Sequence, residues 1–237
     1  MARREVTQAN HSLDGIGIFS EVSPGSLGEI QRLCSWKCYE PGEPIIDYLD
    51  ASDHVLFLTA GEARVTIYSA SGKAVSFSEL CAGDTFGEYP AIVGGHRSAS
   101  VEACTQCLVA SMSSKAFRRV LHDEPTVAQA LLAKFVKKIR SLTARVYEFS
   151  TLAVSNRIQA EILRLANVAL ETHEGATILP APTHAEIASR VSTHREAVTR
   201  ELNRLAKMDI IERQGHALLV KDISRLAEMV HSATGEG

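Results

Sequence analysis

Apolar and polar positions alternate differently in successive parts of the chain. Between Thr126 and Ala153 the apolar residues are Leu132, Phe135, Ile139, Leu142, Val146, Phe149 and Ala153, in alternating steps of three and four. That spacing predicts a long helix with an a/d seam, which favours a twin helix beside it over a broad flat core. Lys134, Lys137, Lys138, Arg140 and Arg145 occupy its other faces. A helix of this length is not held by propensity alone, so it is expected to be a dimerisation spine.

Upstream, from Trp36 to Met112, the pattern changes to short runs rich in β-branched and aromatic residues: His54–Thr59, Ala63–Tyr68 and Ala74–Leu80. Glycine turns separate them, at Pro41-Gly42-Glu43, Ala60-Gly61-Glu62, Ser71-Gly72-Lys73 and Ala82-Gly83-Asp84. Short strands so evenly spaced predict a small antiparallel barrel or roll. Residues 1–22 read as a loose lead-in. Ser23-Pro24 should open a short helix with Leu27, Ile30, Leu33 and Cys34 on one face, and Ser113–Leu121 a second with a serine cap.

Downstream of the spine, Val154-Ser155-Asn156 is the expected hinge, Arg157–Leu170 an amphipathic helix and Glu171–Pro182 a polar loop. Thr183–Val191 then reads as a short helix, Ser192-Thr193 as a turn and His194–Lys207 as a second helix with Ala197, Val198, Leu202 and Leu205 inward. That is helix-turn-helix spacing, followed by a wing hairpin over Ile210–Arg213 and Leu218–Val220. The fold class expected is α+β: an N-terminal antiparallel β-roll over 1–122, a long helix and hinge over 123–155, and a C-terminal winged helix-turn-helix over 156–237.

Composition changes this picture little. The 237 residues are 45% hydrophobic and 22% charged, enough for two modest domains. No apolar run approaches the ~18–20 residues that span a bilayer, and Met1–Leu13 has no apolar leader core, so no membrane partner is expected. Five cysteines is an odd number in a chain too large to need staples, which fits a reducing cytoplasm. Cys104 and Cys107 lie three apart on a strand and so face opposite ways; buried structural thiols are the expectation. Neither the cysteines nor the nine histidines show metal-ligand spacing, so no metal is expected. With a net charge of −3, any contact with nucleic acid must come from local charge.

Two motifs carry the chemistry. Phe86-Gly87-Glu88-Tyr89-Pro90-Ala91 precedes His96-Arg97-Ser98-Ala99-Ser100-Val101. Gly87 lets backbone approach a ligand, and Pro90 suits the start of a short helix. Arg97 offers a planar fork of donors to phosphate, Ser98 adds a hydroxyl, and Glu88 is suited to sugar hydroxyls. In the second motif, Arg195 and Glu196 start the second helix, where Arg195 suits guanine and Glu196 suits cytosine; Arg200, Arg204 and Lys207 continue its outward side.

The roll segment, with Gly-Glu … Arg-Ser-Ala, resembles the phosphate cassette of the CRP/FNR family, and Arg195-Glu196-Ala197-Val198-Thr199-Arg200 resembles that family's recognition helix. The resemblance covers nearly the whole chain. It implies a cyclic-nucleotide-responsive homodimer paired through 126–153, which binds palindromic TGTGA-like half-sites and works with RNA polymerase. Gly87, Glu88, Tyr89, Arg97 and Ser98 would line the pocket, with Leu142 and Thr143 beside the base. Leu142 stands where the cyclic-AMP receptors have an adenine-bonding threonine, so cyclic AMP (cAMP) is the first expectation and cyclic GMP (cGMP) stays open beside it. Arg195, Glu196, Thr199 and Arg200 would read DNA, while Thr183 and His194 match phosphate-contacting positions. The second reading keeps the fold with another effector, or with constitutive DNA binding. An enzyme such as a phosphodiesterase is not expected, because the pocket region offers no metal cluster or nucleophile–base pair.

Overall fold

The computed structural model describes residues 11–68, 74–172 and 175–234. The turn expected at Ser71-Gly72-Lys73 lies outside them. In chain order the elements are α1 (Pro24–Arg32), β1 (Cys34–Tyr39), β2 (Pro44–Ile46), β3 (Val55–Ala60), β4 (Glu62–Tyr68), β5 (Ala74–Cys81), β6 (Thr85–Phe86), α2 (Glu88–Val93), β7 (Ser100–Ala103) and β8 (Cys107–Met112). There follow α3 (Ser114–Asp123), α4 (Pro125–Thr151), α5 (Val154–Ala166), β9 (Leu170–Thr172), β10 (Gly175–Ile178), α6 (His184–Arg190), α7 (Arg195–Lys207), β11 (Ile211–Gln214), β12 (Ala217–Val220) and α8 (Ile223–Thr234). The chain forms two compact units, Met1–Lys138 and Ile139–Gly237, with α4 contributing to both.

The first unit is the expected roll, built from two antiparallel sheets in the orders β1-β8-β3-β6 and β2-β7-β4-β5. The period-two alternation of β3 divides its core. Leu56 and Leu58 point into the roll with Val109 and Phe86, while Val55 and Phe57 face a second cluster with Phe117, Val127 and Leu131. Serines cap α1 and α3 as read: the Ser23 and Ser113 hydroxyls accept from the Ser26 and Ala116 amides.

Three local expectations fail here. The described part of the lead-in is core, since Leu13, Ile16, Ile18 and Phe19 are all buried. A short 3₁₀ turn, Gly17–Phe19, brings the side chains of Ile18 and Phe19 inward without a helix period to reveal them. Leu33 ends α1 exposed, and Cys34 opens β1 instead of extending the apolar face of the helix. Cys107 is buried, but Cys104 lies in the turn between β7 and β8 and not on one strand with it; Cys38, Cys81 and Cys104 are exposed, against the expectation of buried thiols.

The second unit is the winged helix-turn-helix, with its sheet in the order β11-β12-β10-β9. Strands β9 and β10 occupy much of what read as a loop, and α5 ends at Ala166 before them. Their short alternation was hidden beside Pro180 and Pro182. The hinge also moves: Val154-Ser155-Asn156 is the first turn of α5, and the break falls at Leu152-Ala153, where Ala153 is extended.

That break is pinned by charge. Arg157 donates to the carbonyls of Leu152 and Val191, each at 3.2 Å, with its guanidinium over the Phe149 ring. Glu161, 1% exposed, is paired with Arg145 of α4, Arg164 of α5 and Arg190 of α6. Arg164 also reaches Glu148 at 2.7 Å. One buried carboxylate therefore ties three helices together. Glu161→Gln leaves three guanidinium groups without their shared anion, and removing one partner of a buried pair costs about 3–5 kcal/mol. Urea denaturation followed through the α5 amide signals should show a loss of that order.

Candidate ligand pocket and nucleic-acid interface

Strand β6 delivers the chain to Gly87, which adopts the left-handed conformation (φ 71°, ψ 16°) and turns it directly into α2. A Cβ at Gly87 would lie 2.6 Å from Arg97 Nη1 and 3.0 Å from Leu56 Cδ1, so the position requires glycine on both counts. The helix starts at Glu88, two residues ahead of Pro90, which sits inside its first turn.

Arg97 is 3% exposed, and its donors are directed inward. Nε donates to Ser52 Oγ at 3.0 Å, Nη1 to the Gly87 carbonyl at 2.7 Å and Nη2 to the His54 carbonyl at 2.9 Å. Its backbone is clamped as well, between the Leu49 amide and the Asp50 carbonyl. The three acceptors of the guanidinium are all neutral, so each of its nitrogens has a partner while its charge is unanswered by direct contact. Burial lowers the guanidinium from its usual value, opposed by the charges of Asp50, Asp53 and Glu88.

Glu88 is buried beside it, and that burial raises its carboxyl above the usual range. Its own backbone amide and the cations Lys134, Arg97 and Lys138 oppose that shift. Tyr89 is half exposed, its ring 6.3 Å from that of Phe135, and burial and Glu88 push its phenol up. Gly87, Glu88, Tyr89 and Arg97 thus converge in the first unit, whereas Ser98 faces solvent. Leu142 and Thr143 are exposed on α4, within the second unit.

The sequence did not single out Ser52 and His54, which hold the guanidinium, because nothing local marks the partner of a residue more than forty positions away. Lys134, read only as filling another face of the long helix, donates to the Thr85 carbonyl at 2.6 Å. Its spacing of four from Lys138 was the available signal, since both influence Glu88.

On the second unit, Thr183 caps α6 through a capping box: its hydroxyl accepts from the Glu186 amide, and the Glu186 carboxylate accepts from the Thr183 amide and hydroxyl. His194 caps α7 by position and makes no side-chain cap bond. His194, Arg195, Glu196 and Arg200 are exposed together along the start of α7, as a base-reading surface requires. Thr199 is half-buried and turned toward the protein, its Oγ1 3.0 Å from the Arg195 carbonyl and 2.8 Å from His184 Nδ1. Arg204 is not a free outward cation; it pairs with buried Glu201, which also accepts from Gln159 Nε2 at 2.6 Å.

Residues 36–124 match the cyclic nucleotide-binding domain family and residues 156–229 the Crp-like helix-turn-helix domain family. The chain is 24% identical over 213 residues to the CRP-like cAMP-activated global transcriptional regulator of Mycobacterium tuberculosis, covering 89% of this chain and 95% of that protein. It is 29% identical over 190 residues to the cAMP-activated global transcriptional regulator CRP of Escherichia coli, covering 79% and 90%. Among solved structures, a CooA mutant from Carboxydothermus hydrogenoformans aligns with a TM-score of 0.75 at 20% identity over 92% of this chain and 95% of that one, a likeness of fold.

A cyclic-nucleotide-binding roll ahead of a Crp-like helix-turn-helix defines a DNA-binding transcription regulator, not an enzyme. The chain belongs to the CRP/FNR family. Among the described residues, no helix is long and apolar enough to cross a membrane.

The upward shift of Glu88 makes a stability prediction. A carboxyl raised by burial penalises the fold once ionised, so the penalty is absent below the ordinary value of 4.5 and grows as pH rises through the folded value. Glu88→Gln should therefore raise the melting midpoint of the ligand-free protein at pH 7, and the gain should vanish near pH 4.

Proposed function

We propose that this regulator is a homodimer gated by a cyclic mononucleotide, with cAMP as the first candidate and cGMP as the second. The observation that carries the proposal is a buried guanidinium met only by neutral acceptors, one Gly87 turn away from a buried carboxylate. A cyclic phosphate would supply the missing anion to Arg97, with Ser98 at the rim, and ribose hydroxyls would give Glu88 the donors that a buried carboxylate needs. Tyr89, Leu142 and Thr143 are assigned to the base. The curated relatives, both described as cAMP-activated, favour adenine; Leu142 keeps guanine open.

Dimerisation is supported by the seam of α4, where Leu132, Ile139 and Val146 are 62%, 61% and 65% exposed. Apolar side chains recurring on one stripe of a long helix require cover. A three-part division follows: 1–122 binds effector, 123–155 pairs the subunits, and 156–237 binds DNA. Arg195, Glu196, Thr199 and Arg200 are assigned to a palindromic, TGTGA-like operator, with Thr183 and His194 at its phosphates. Effector binding would favour the arrangement that sets two recognition helices ~34 Å apart. The partners are duplex DNA, a second subunit and RNA polymerase, and the compartment is the cytoplasm.

The second reading, an effector of another class or constitutive DNA binding, is favoured by the three protein acceptors that already hold Arg97. Calorimetry separates the two. With operator present, cAMP should bind about 5–150-fold more tightly, a coupling of about 1–3 kcal/mol. Arg97→Leu should abolish that response, and its survival would leave the second reading standing. Arg195→Ala should cost about 1–3 kcal/mol and relax preference at one base pair, whereas a uniform loss on all sequences would assign Arg195 to phosphate.

A further inference from the structure

One imidazole on the DNA-binding face has no part in base reading, yet it is joined to the start of the recognition helix. His184, the first residue of α6, is half-buried. Its Nδ1 stands 2.8 Å from Thr199 Oγ1, and that oxygen stands 3.0 Å from the Arg195 carbonyl. A hydroxyl has a single proton, and a carbonyl can only accept. The back-bond of Thr199 to the carbonyl four residues earlier therefore uses the hydroxyl proton. Nδ1 must then be the donor to Thr199, a tautomer assigned from the bonding pattern. In the neutral ring Nε2 is left as a bare acceptor.

A phosphate oxygen only accepts, so the neutral ring cannot bond one through Nε2. Adding a proton there turns the ring into a charged donor and leaves the His184–Thr199–Arg195 chain undisturbed. The charged groups facing the ring are Arg195 from α7 and Arg213 from β11. On its own helix, the Glu186 carboxylate is engaged by the Thr183 amide and hydroxyl. Partial burial, and then the two arginines, hold His184 below the usual imidazole value of 6.5. An approaching phosphate reverses the electrostatic part of that penalty by bringing negative charge to a site with two cations already present.

We propose that His184 is a proton-linked positioning residue. On this reading, DNA binding draws one proton from solvent onto Nε2 in each subunit, and the imidazolium donates to a backbone phosphate while Nδ1 steadies Thr199 and the first turn of α7. The inference rests on α7 being the helix that enters DNA. Its sign is definite: binding raises the imidazole pKa, so the extra affinity is fully present below the free-protein value and is lost as pH rises through the value in the complex.

The test is operator affinity of the full-length protein with saturating cAMP, by fluorescence anisotropy from pH 5.5 to 8.5 at fixed ionic strength. A random-sequence duplex serves as a second probe. Affinity should fall with rising pH, by as much as about tenfold per pH unit for each bound subunit within the linkage window. The slope should appear on both duplexes, because a phosphate carries no sequence. His184→Gln, which keeps an amide donor for Thr199, should flatten the slope on both; a slope that survives in this variant overturns the proposal. Long-range ¹⁵N spectra of the imidazole provide the independent measurement. They should show the Nδ1–H tautomer in the free protein and both nitrogens protonated in the complex, and a ring that stays neutral on DNA also overturns it. Failure of the wild-type protein to bind either duplex at any pH would instead overturn the reading of α7, and this inference with it.

Discussion

The buried charge of Arg97 constrains how the first unit can fold around it. A guanidinium out of water needs acceptors, and here a hydroxyl and two backbone carbonyls supply one to each of its nitrogens. Those acceptors come from the segment ahead of β3 and from the turn at Gly87, so the roll must hold both within reach of one side chain. The left-handed turn, the glycine and the buried carboxylate that follows are arranged around that requirement. Neutral oxygens satisfy geometry without cancelling charge, and the carboxylates of Asp50, Asp53 and Glu88 act on it only through space.

The second unit handles buried charge in the opposite way. Glu161 is a single anion shared by three guanidinium groups, with Arg164 also linked to Glu148. Glu201 is likewise buried and shared, between Gln159 and Arg204. Apolar packing of Ile158, Ile162, Ile187 and Leu205 is non-directional and would tolerate several helix rotations. Directional bonds to Glu161 and Glu201 select one. The orientation in which α7 presents Arg195, Glu196 and Arg200 to solvent is therefore set from its buried side.

Helix α4 contributes to both units, and a helix of its length needs cover for an apolar stripe. The same helix carries Lys134, bonded to the roll through the Thr85 carbonyl, and Arg145, bonded to Glu161. Polar side chains of α4 are thus engaged within each unit, while Leu132, Ile139 and Val146 stay exposed. That division of faces is the physical basis for assigning it the role of spine.

Much of this was legible along the chain. The steps of three and four in α4, the glycine-bounded strand runs of the roll and the helix-turn-helix spacing of α6 and α7 are local signals, and each depends only on residues close together in the chain. The Gly-Glu and Arg-Glu motifs were legible for the same reason. What the chain order could not reveal was any pairing between distant residues: Ser52 and His54 with Arg97, Lys134 with Thr85, Gln159 with Glu201, His184 with Thr199. The apolar residues of the lead-in and the strands β9 and β10 were missed because segments of three or four residues are too short to display a period. Where a segment is long enough to show a period, sequence by itself determined the element and the side that faces inward, since both follow from local periodicity. Only the tertiary structure decided which polar groups meet inside, because a hydrogen bond depends on a few ångströms of distance and not on separation along the chain.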